Sequence, residues 1–158
     1  MIELVNGDAV AIPLKSGTCQ LICTSPPYFS LRSYGIGKGE IGSEPTPEEF
    51  IEALVTVGRE LWRVLRDDGV MVMNLGDSYN GSGGAGGDYA PGGLKDGQPR
   101  FPGRNVTALQ TGDRMNIPHR VAAALQADGW LWRETIIWQK LSAMPESLNG
   151  TRWERCRV

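Results

Sequence analysis

Two short apolar runs, Leu21–Thr24 (LICT) and Val70–Leu75 (VMVMNL), constrain most strongly what this chain of 158 residues can fold into. Neither alternates polar with apolar residues, which is the pattern of strands buried on both faces, as in a parallel sheet. Between them, Thr46-Pro47-Glu48-Glu49 opens a helix. Thr46 suits the N-cap, Pro47 the first helical position, and Glu49 completes a capping box. Phe50, Leu54, Leu61 and Leu65 then recur on one helical face. Arg63 and Arg66 suit the negative end of the helix dipole, and Asp68-Gly69 marks its end. Pro118–Gln126 reads as a second helix with Gly129 just beyond it, and Ile2–Val5 and Trp130–Gln139 read as further strands. The order is α/β with right-handed crossovers. Leu21–Thr24, Val70–Leu75 and Ile136–Gln139 are expected to be neighbours, the first two parallel. Trp130, Trp132 and Trp138 fall on alternate positions, so they are expected to share one sheet face, with core packing favoured over base stacking.

Composition narrows the class. Apolar residues are 41% and charged residues 22%, the mix of a globular domain. No apolar run approaches the ~20 residues of a bilayer span, and no signal peptide opens the chain, so no membrane partner and a cytoplasmic protein are expected. Cys19, Cys23 and Cys156 make no disulfide framework, and Cys19 and Cys23, which flank an apolar run, read as buried free thiols. Their spacing does not suit zinc, and His119, the single histidine, reads as structural, so no metal is expected. A net charge of −2 argues against a self-sufficient basic nucleic-acid binder, though not against a local basic face.

Between Asn80 and Val106 all periodicity is lost. Nine of the 21 glycines lie there with Pro91, Pro99 and Pro102, and a long flexible loop is expected at 80–106. Gly81, Gly83 and Gly86 match a dinucleotide fingerprint in spacing, but Asp88-Tyr89-Ala90-Pro91 follows where a helix would have to begin.

Thr24-Ser25-Pro26-Pro27-Tyr28 ends the first buried run. A Pro-rich turn is its plain reading. Its place at the carboxyl end of a strand is also where open α/β sheets bind ligands. The two prolines remove N–H donors and leave carbonyl acceptors, with a hydroxyl before and an aromatic ring after. That combination suits a planar group bearing an exocyclic amine.

The stretch resembles the catalytic motif of the amino-group DNA methyltransferases, which modify cytosine N4 or adenine N6. The resemblance continues in order through Arg32-Ser33-Tyr34-Gly35, Gly39–Phe50, Leu61-Trp62-Arg63-Val64-Leu65, Asn74-Leu75-Gly76-Asp77-Ser78-Tyr79, Ile117–Ala122, Trp138-Gln139-Lys140 and Met144-Pro145-Glu146-Ser147. It implies a partial doubly wound, Rossmann-like class I methyltransferase fold with a mostly parallel sheet. It also implies S-adenosylmethionine as cofactor and double-stranded DNA with a flipped target base as partner. Ser25, Pro26, Pro27 and Tyr28 become the catalytic residues: Ser25 and the Pro26 carbonyl accept from the amine, and Tyr28 stacks on the base. Ser-Pro-Pro-Tyr favours cytosine N4, since Asp more often stands at the Ser25 position in adenine enzymes. Protein and RNA amino-methyltransferases tend to carry Asn-Pro-Pro-Tyr, which is absent.

Thr24 is expected beside the cofactor. Asp8 and Asp77 are candidate cofactor contacts, each with turn formation as the equal alternative. Arg32 and Arg152 are candidate DNA contacts, as are Lys140 and Ser147, for which plain solvation is the alternative. The family's Phe-x-Gly-x-Gly cofactor segment is missing: Phe29, Phe50 and Phe101 are followed by Ser-Leu, Ile-Glu and Pro-Gly. The target-recognition region is missing too. The chain therefore reads as the N-terminal catalytic part of a longer enzyme, of doubtful activity alone. The alternative is a non-catalytic remnant or a split half that needs a partner chain.

Overall fold

The structure is a computed structural model and describes residues 2–30, 39–81, 106 and 108–139. Four elements follow in order: β1 (Cys19–Thr24), α1 (Pro47–Val64), β2 (Leu65–Met73) and α2 (Ile117–Ala127). β1 and β2 pair in parallel, and α1 supplies the crossover that parallel neighbours require.

α1 starts at the expected cap, with Thr46 Oγ1 accepting from the Glu49 N–H at 3.2 Å. It ends earlier than expected, at Val64 rather than Asp68. The N–H groups of Gly17 and Thr18 donate to the carbonyls of Arg63 and Val64 at 3.0 and 2.9 Å. Those are the acceptors a longer helix would offer to residues 67 and 68. Leu65 then pairs with Cys19, and the ladder slips before Leu21 meets Val70. Arg66 accordingly lies in β2, paired with Asp68 at 3.0 Å.

The register sets Leu21 beside Val70 and Cys23 beside Val72 on one face, with Ile22, Thr24, Met71 and Met73 on the other. Met71 and Met73 pack on the core of Phe29, Phe50, Leu54, Met115, Ile117, Val121 and Leu125, so both helices cover this face. The opposite face is open among the described residues: Leu21, Val70 and Val72 are 62%, 56% and 44% exposed. Burial of both strands on both faces is thus corrected to burial on one, and the expected burial of the Cys23 thiol is corrected to exposure. A parallel sheet reads as apolar throughout because both faces are meant for covering, and only one is covered here.

Two other expected strands are corrected. Ile2–Val5 and Trp130–Gln139 have no strand structure, and Ile2, Leu4, Leu131, Ile136, Ile137 and Trp138 are exposed. Apolar, β-branched composition makes a strand only where a neighbour completes the ladder, and neither segment has one among the described residues. The three tryptophans therefore share no sheet face. Trp130 meets Trp62 edge-on with centroids 5.0 Å apart, Trp132 donates to Thr135 Oγ1 at 3.1 Å and lies near His119, and Trp138 is exposed.

α1 and α2 are tied start to start by Glu48–Arg120 and end to end by Asp128–Arg59, each at 2.6 Å, so the helices run in the same direction. The Arg59 guanidinium lowers the Asp128 carboxyl below its ordinary range. Glu48 is lowered by its own backbone N–H and then by Arg120. Arg63 lowers Glu60, and this pair holds the N-terminal segment: Glu60 accepts from the Ile12 N–H at 2.8 Å, while Arg63 donates to the Ile12 and Leu14 carbonyls, both at 2.9 Å. Two parallel strands with two helices on one face fit a methyltransferase fold. No helix among the described residues is long and apolar enough to cross a membrane.

Candidate active site

Parallel pairing brings the carboxyl ends of β1 and β2 together, and a connection leaves from each. The Asn74 N–H donates to the Thr24 carbonyl at 2.8 Å, carrying the ladder one residue past β2. From that anchor the Asn74 side chain reaches the turn after β1. Its Nδ2 lies 3.0 Å from Tyr28 Oη and 3.5 Å from Ser25 Oγ. Ser25 is exposed, Pro26–Tyr28 are half-buried, and Phe29 is buried against Phe50 with ring centroids 5.5 Å apart. The turn is thus pinned to the first turn of α1 by Phe29 and to the end of β2 by Asn74.

Two glycines let the main chain close around it. Gly42 has φ +96°, a conformation L side chains rarely adopt, and a Cβ there would lie 3.0 Å from the Tyr28 carbonyl oxygen and 3.1 Å from Pro27 Cβ. Its carbonyl accepts from the Ser30 N–H at 2.8 Å. A Cβ on Gly76 would sit 2.6 Å from Tyr28 Cε2 and 2.7 Å from Cδ2, so the phenol ring rests on the Gly76 main chain.

The second connection is fixed to α2. Asp77 Oδ1 accepts from the Ser78 N–H and from the Ile117 N–H, both at 3.0 Å. The latter is a free donor at the α2 terminus that the N-cap residue, Asn116, leaves without a side-chain partner. Residues 78–80 then run antiparallel to 113–115. The buried Asn80 side chain accepts from the Val106 N–H at 2.7 Å and donates to the carbonyls of Val106, Leu109 and Gln110 at 3.2, 2.8 and 3.3 Å.

The structure brings Ser25, Pro26, Pro27 and Tyr28 together at a sheet end, where the sequence places them. Of the candidate cofactor contacts, Thr24 borders this site, with its carbonyl engaged by Asn74. Asp77 borders it as the cap of α2. Asp8 forms a turn, accepting from the Val10 N–H at 3.1 Å through its side chain and from the Ala11 N–H at 3.0 Å through its carbonyl. Arg32, Lys140, Ser147, Arg152 and nearly all of the 80–106 segment lie outside the described residues. Asn74, Gly42, Gly76 and Phe29 were not singled out as site residues in the sequence. For Asn74 a signal was present, since the first polar residue after a buried strand stands at the ligand-binding edge of a parallel sheet.

Chemically the site offers a hydroxyl and a proline carbonyl as acceptors beside a fixed aromatic ring. Comparison with known proteins gives the family. The model of the N6/N4 methylase family, described as DNA methylase, matches residues 19–152. The Type II methyltransferase M.XycI of Xanthomonas campestris pv. cyanopsidis is 43% identical over 151 residues, covering 92% of this chain and 48% of its own length. M.Cfr9I of Citrobacter freundii is 43% identical over 154 residues, again 48% of its length, and M.SmaI of Serratia marcescens is 38% identical over 155 residues, 50% of its length. The chain spans about half the length of the curated relatives it matches. No solved structure matches it. The family match runs over most of the chain and takes in the Ser25–Tyr28 turn, and it leads to one conclusion: the chain belongs to the N6/N4 family of DNA methylases.

Proposed function

We propose that this chain is the catalytic-motif part of a DNA methyltransferase that modifies an exocyclic amino group, with cytosine N4 as the preferred target over adenine N6. The observation that carries this reading is the Ser25–Tyr28 turn, held rigidly at the carboxyl end of β1 by Asn74. An exocyclic amine is a weak nucleophile because its lone pair is delocalised into the ring. Ser25 Oγ and the Pro26 carbonyl, accepting its two hydrogens, favour a tetrahedral nitrogen with a localised lone pair. An acceptor already aimed at the amine keeps the reorganisation that accompanies this change small. Tyr28 receives the flipped base by stacking. S-adenosylmethionine would supply the methyl group: the N–CH3 bond forms as the sulfonium S–CH3 bond breaks, the thioether leaves, and one amine proton passes to solvent. Thr24 and Asp77 border the donor's side of the site, and the rest of its seat belongs to a complementing half.

The open outer sheet face and the half-length match to the relatives support such a half, whether on the same polypeptide or on a partner chain. Arg32, Lys140, Ser147 and Arg152 supply phosphate contacts from this chain. The test is methyl transfer from labelled S-adenosylmethionine to unmethylated duplex DNA. It compares the chain alone with the chain joined to the part of M.XycI beyond the matched segment. The expected result is no transfer alone, and N4-methylcytosine in the digested product of the joined protein. Robust transfer by the chain alone overturns the need for a complement, and N6-methyladenine overturns the base preference. Unchanged rates in Ser25→Ala and Pro26→Ala overturn the site.

A further inference from the structure

We infer that Asn74 is a positioning residue for the methyl-transfer reaction: its side-chain amide sets the hydroxyls of Ser25 and Tyr28 at the same time. The inference rests on the function proposed above and assigns a role to a residue outside the Ser-Pro-Pro-Tyr motif. Asn74 is the one described side chain that bonds both ends of the turn, at 3.0 Å to Tyr28 Oη and 3.5 Å to Ser25 Oγ. Its own position does not depend on its side chain, because its backbone N–H is held by the Thr24 carbonyl at 2.8 Å. The amide is therefore mounted on the sheet, not on a loop.

The chemistry follows from the donor count. An amide nitrogen carries two N–H donors, and a hydroxyl oxygen has two lone pairs and one proton. With Nδ2 donating to both oxygens, each hydroxyl has one lone pair occupied and its own proton directed away from Asn74. Ser25 Oγ is left with one lone pair for an incoming amine hydrogen. Without Asn74 the hydroxyl of an exposed serine samples its staggered rotamers, and an acceptor aimed correctly only part of the time is a poorer catalyst. Tyr28 is constrained twice, by Asn74 at its oxygen and by the Gly76 main chain at its ring. Its remaining surface is the part available to a flipped base.

Two substitutions separate donation from mere space-filling. Asn74→Ala removes the amide and leaves the backbone bond to Thr24. Asn74→Asp keeps the shape but offers only acceptors, which would turn both hydroxyl protons inward. In the form of the protein that transfers methyl groups, both variants are expected to lower kcat by about 10- to 100-fold, the usual consequence of misplaced reacting groups. KM for DNA and for S-adenosylmethionine should change by less than about threefold, the signature of a group that acts on the transition state.

A second readout needs no activity. In the 158-residue chain labelled with 3-fluorotyrosine, the Tyr28 fluorine resonance is assigned by its loss in Tyr28→Phe. It should shift in Asn74→Ala, while far-UV circular dichroism stays that of the parent. An unmoved resonance, or a wild-type kcat in Asn74→Ala, overturns the inference. A wild-type kcat in Asn74→Asp overturns the donor role. Absence of transfer to any amino base by the protein joined to the downstream part of M.XycI overturns the proposed function instead, and the fluorine measurement then decides the Asn74 contact by itself.

Discussion

Gly76 matters for the atom it lacks. A Cβ there would lie 2.6 Å from the Tyr28 ring, with the ring already anchored at its oxygen, so Gly76→Ala must push the phenol off Asn74 or shift the main chain. Overpacking of this kind costs about 1–3 kcal/mol, read as a lower urea midpoint, and transfer activity should fall with it. On the function proposed above, Tyr28 has two separable duties. Tyr28→Ala should weaken capture of the flipped base by about 1–3 kcal/mol, the usual range for base–aromatic stacking. Tyr28→Phe keeps the ring and loses the Asn74 contact, so DNA affinity should hold while kcat falls. The pair is read with duplexes carrying a fluorescent base analogue at the target. Asn80 is a purely structural counterpart. It is 2% exposed, and Asn80→Ala would strand the Val106 N–H, for a cost of about 1–3 kcal/mol in denaturant unfolding.

At the scale of elements, the helices carry the pH dependence. Asp128, Glu60 and Glu48 all have their carboxyl pKa lowered in the folded chain, the first two chiefly by arginine. A depressed folded value stabilises the fold above the unfolded pKa, about 4 for such groups, and that stabilisation is lost as pH falls through the folded value. Melting temperature should therefore hold from neutrality to about pH 5 and drop below about pH 4. Asp128→Asn should lower the plateau and reduce the drop, because the Arg59 tie between α1 and α2 is then gone at every pH. These same elements show what was legible in the sequence. Thr46, Pro47 and the spacing of Phe50 and Leu54 located α1 because capping and periodicity are local. Leu21–Thr24 and Val70–Leu75 were recognisable as parallel partners from apolar runs joined by a helix, although β2 itself runs from Leu65 to Met73. The end of α1 was not, since it is set by Gly17 and Thr18, nearly fifty residues upstream of Val64 in the chain. Ile2–Val5 and Trp130–Gln139 carry strand composition without a strand, because pairing is a property of neighbours. Ser25–Tyr28 was legible as a motif, whereas Asn74 and Gly76 enter the site only through the parallel register that sets β2 beside β1.

At the scale of the molecule, one sheet face is packed and the other displays Leu21, Cys23, Val70 and Val72. An apolar face of this kind promotes self-association when nothing covers it. Val72→Lys should leave the chain folded and reduce its light scattering, yet abolish complementation by the downstream half of a relative. Gain of solubility with complementation intact would count against coverage of that face. The Asn80 bonds have a different bearing, on how the chain can change length. They fasten residues 78–80 to Val106 and the segment through Met115, so the stretch between Asn80 and Val106 leaves and returns at one fixed doorway. With both ends fixed by the Asn80 side chain, a change of length between Asn80 and Val106 leaves the Asp77 cap of α2 in place. A single residue added between Asn74 and Asn80 has no such latitude, because it would take Gly76 from beneath Tyr28 and Asp77 from the end of α2 in one step.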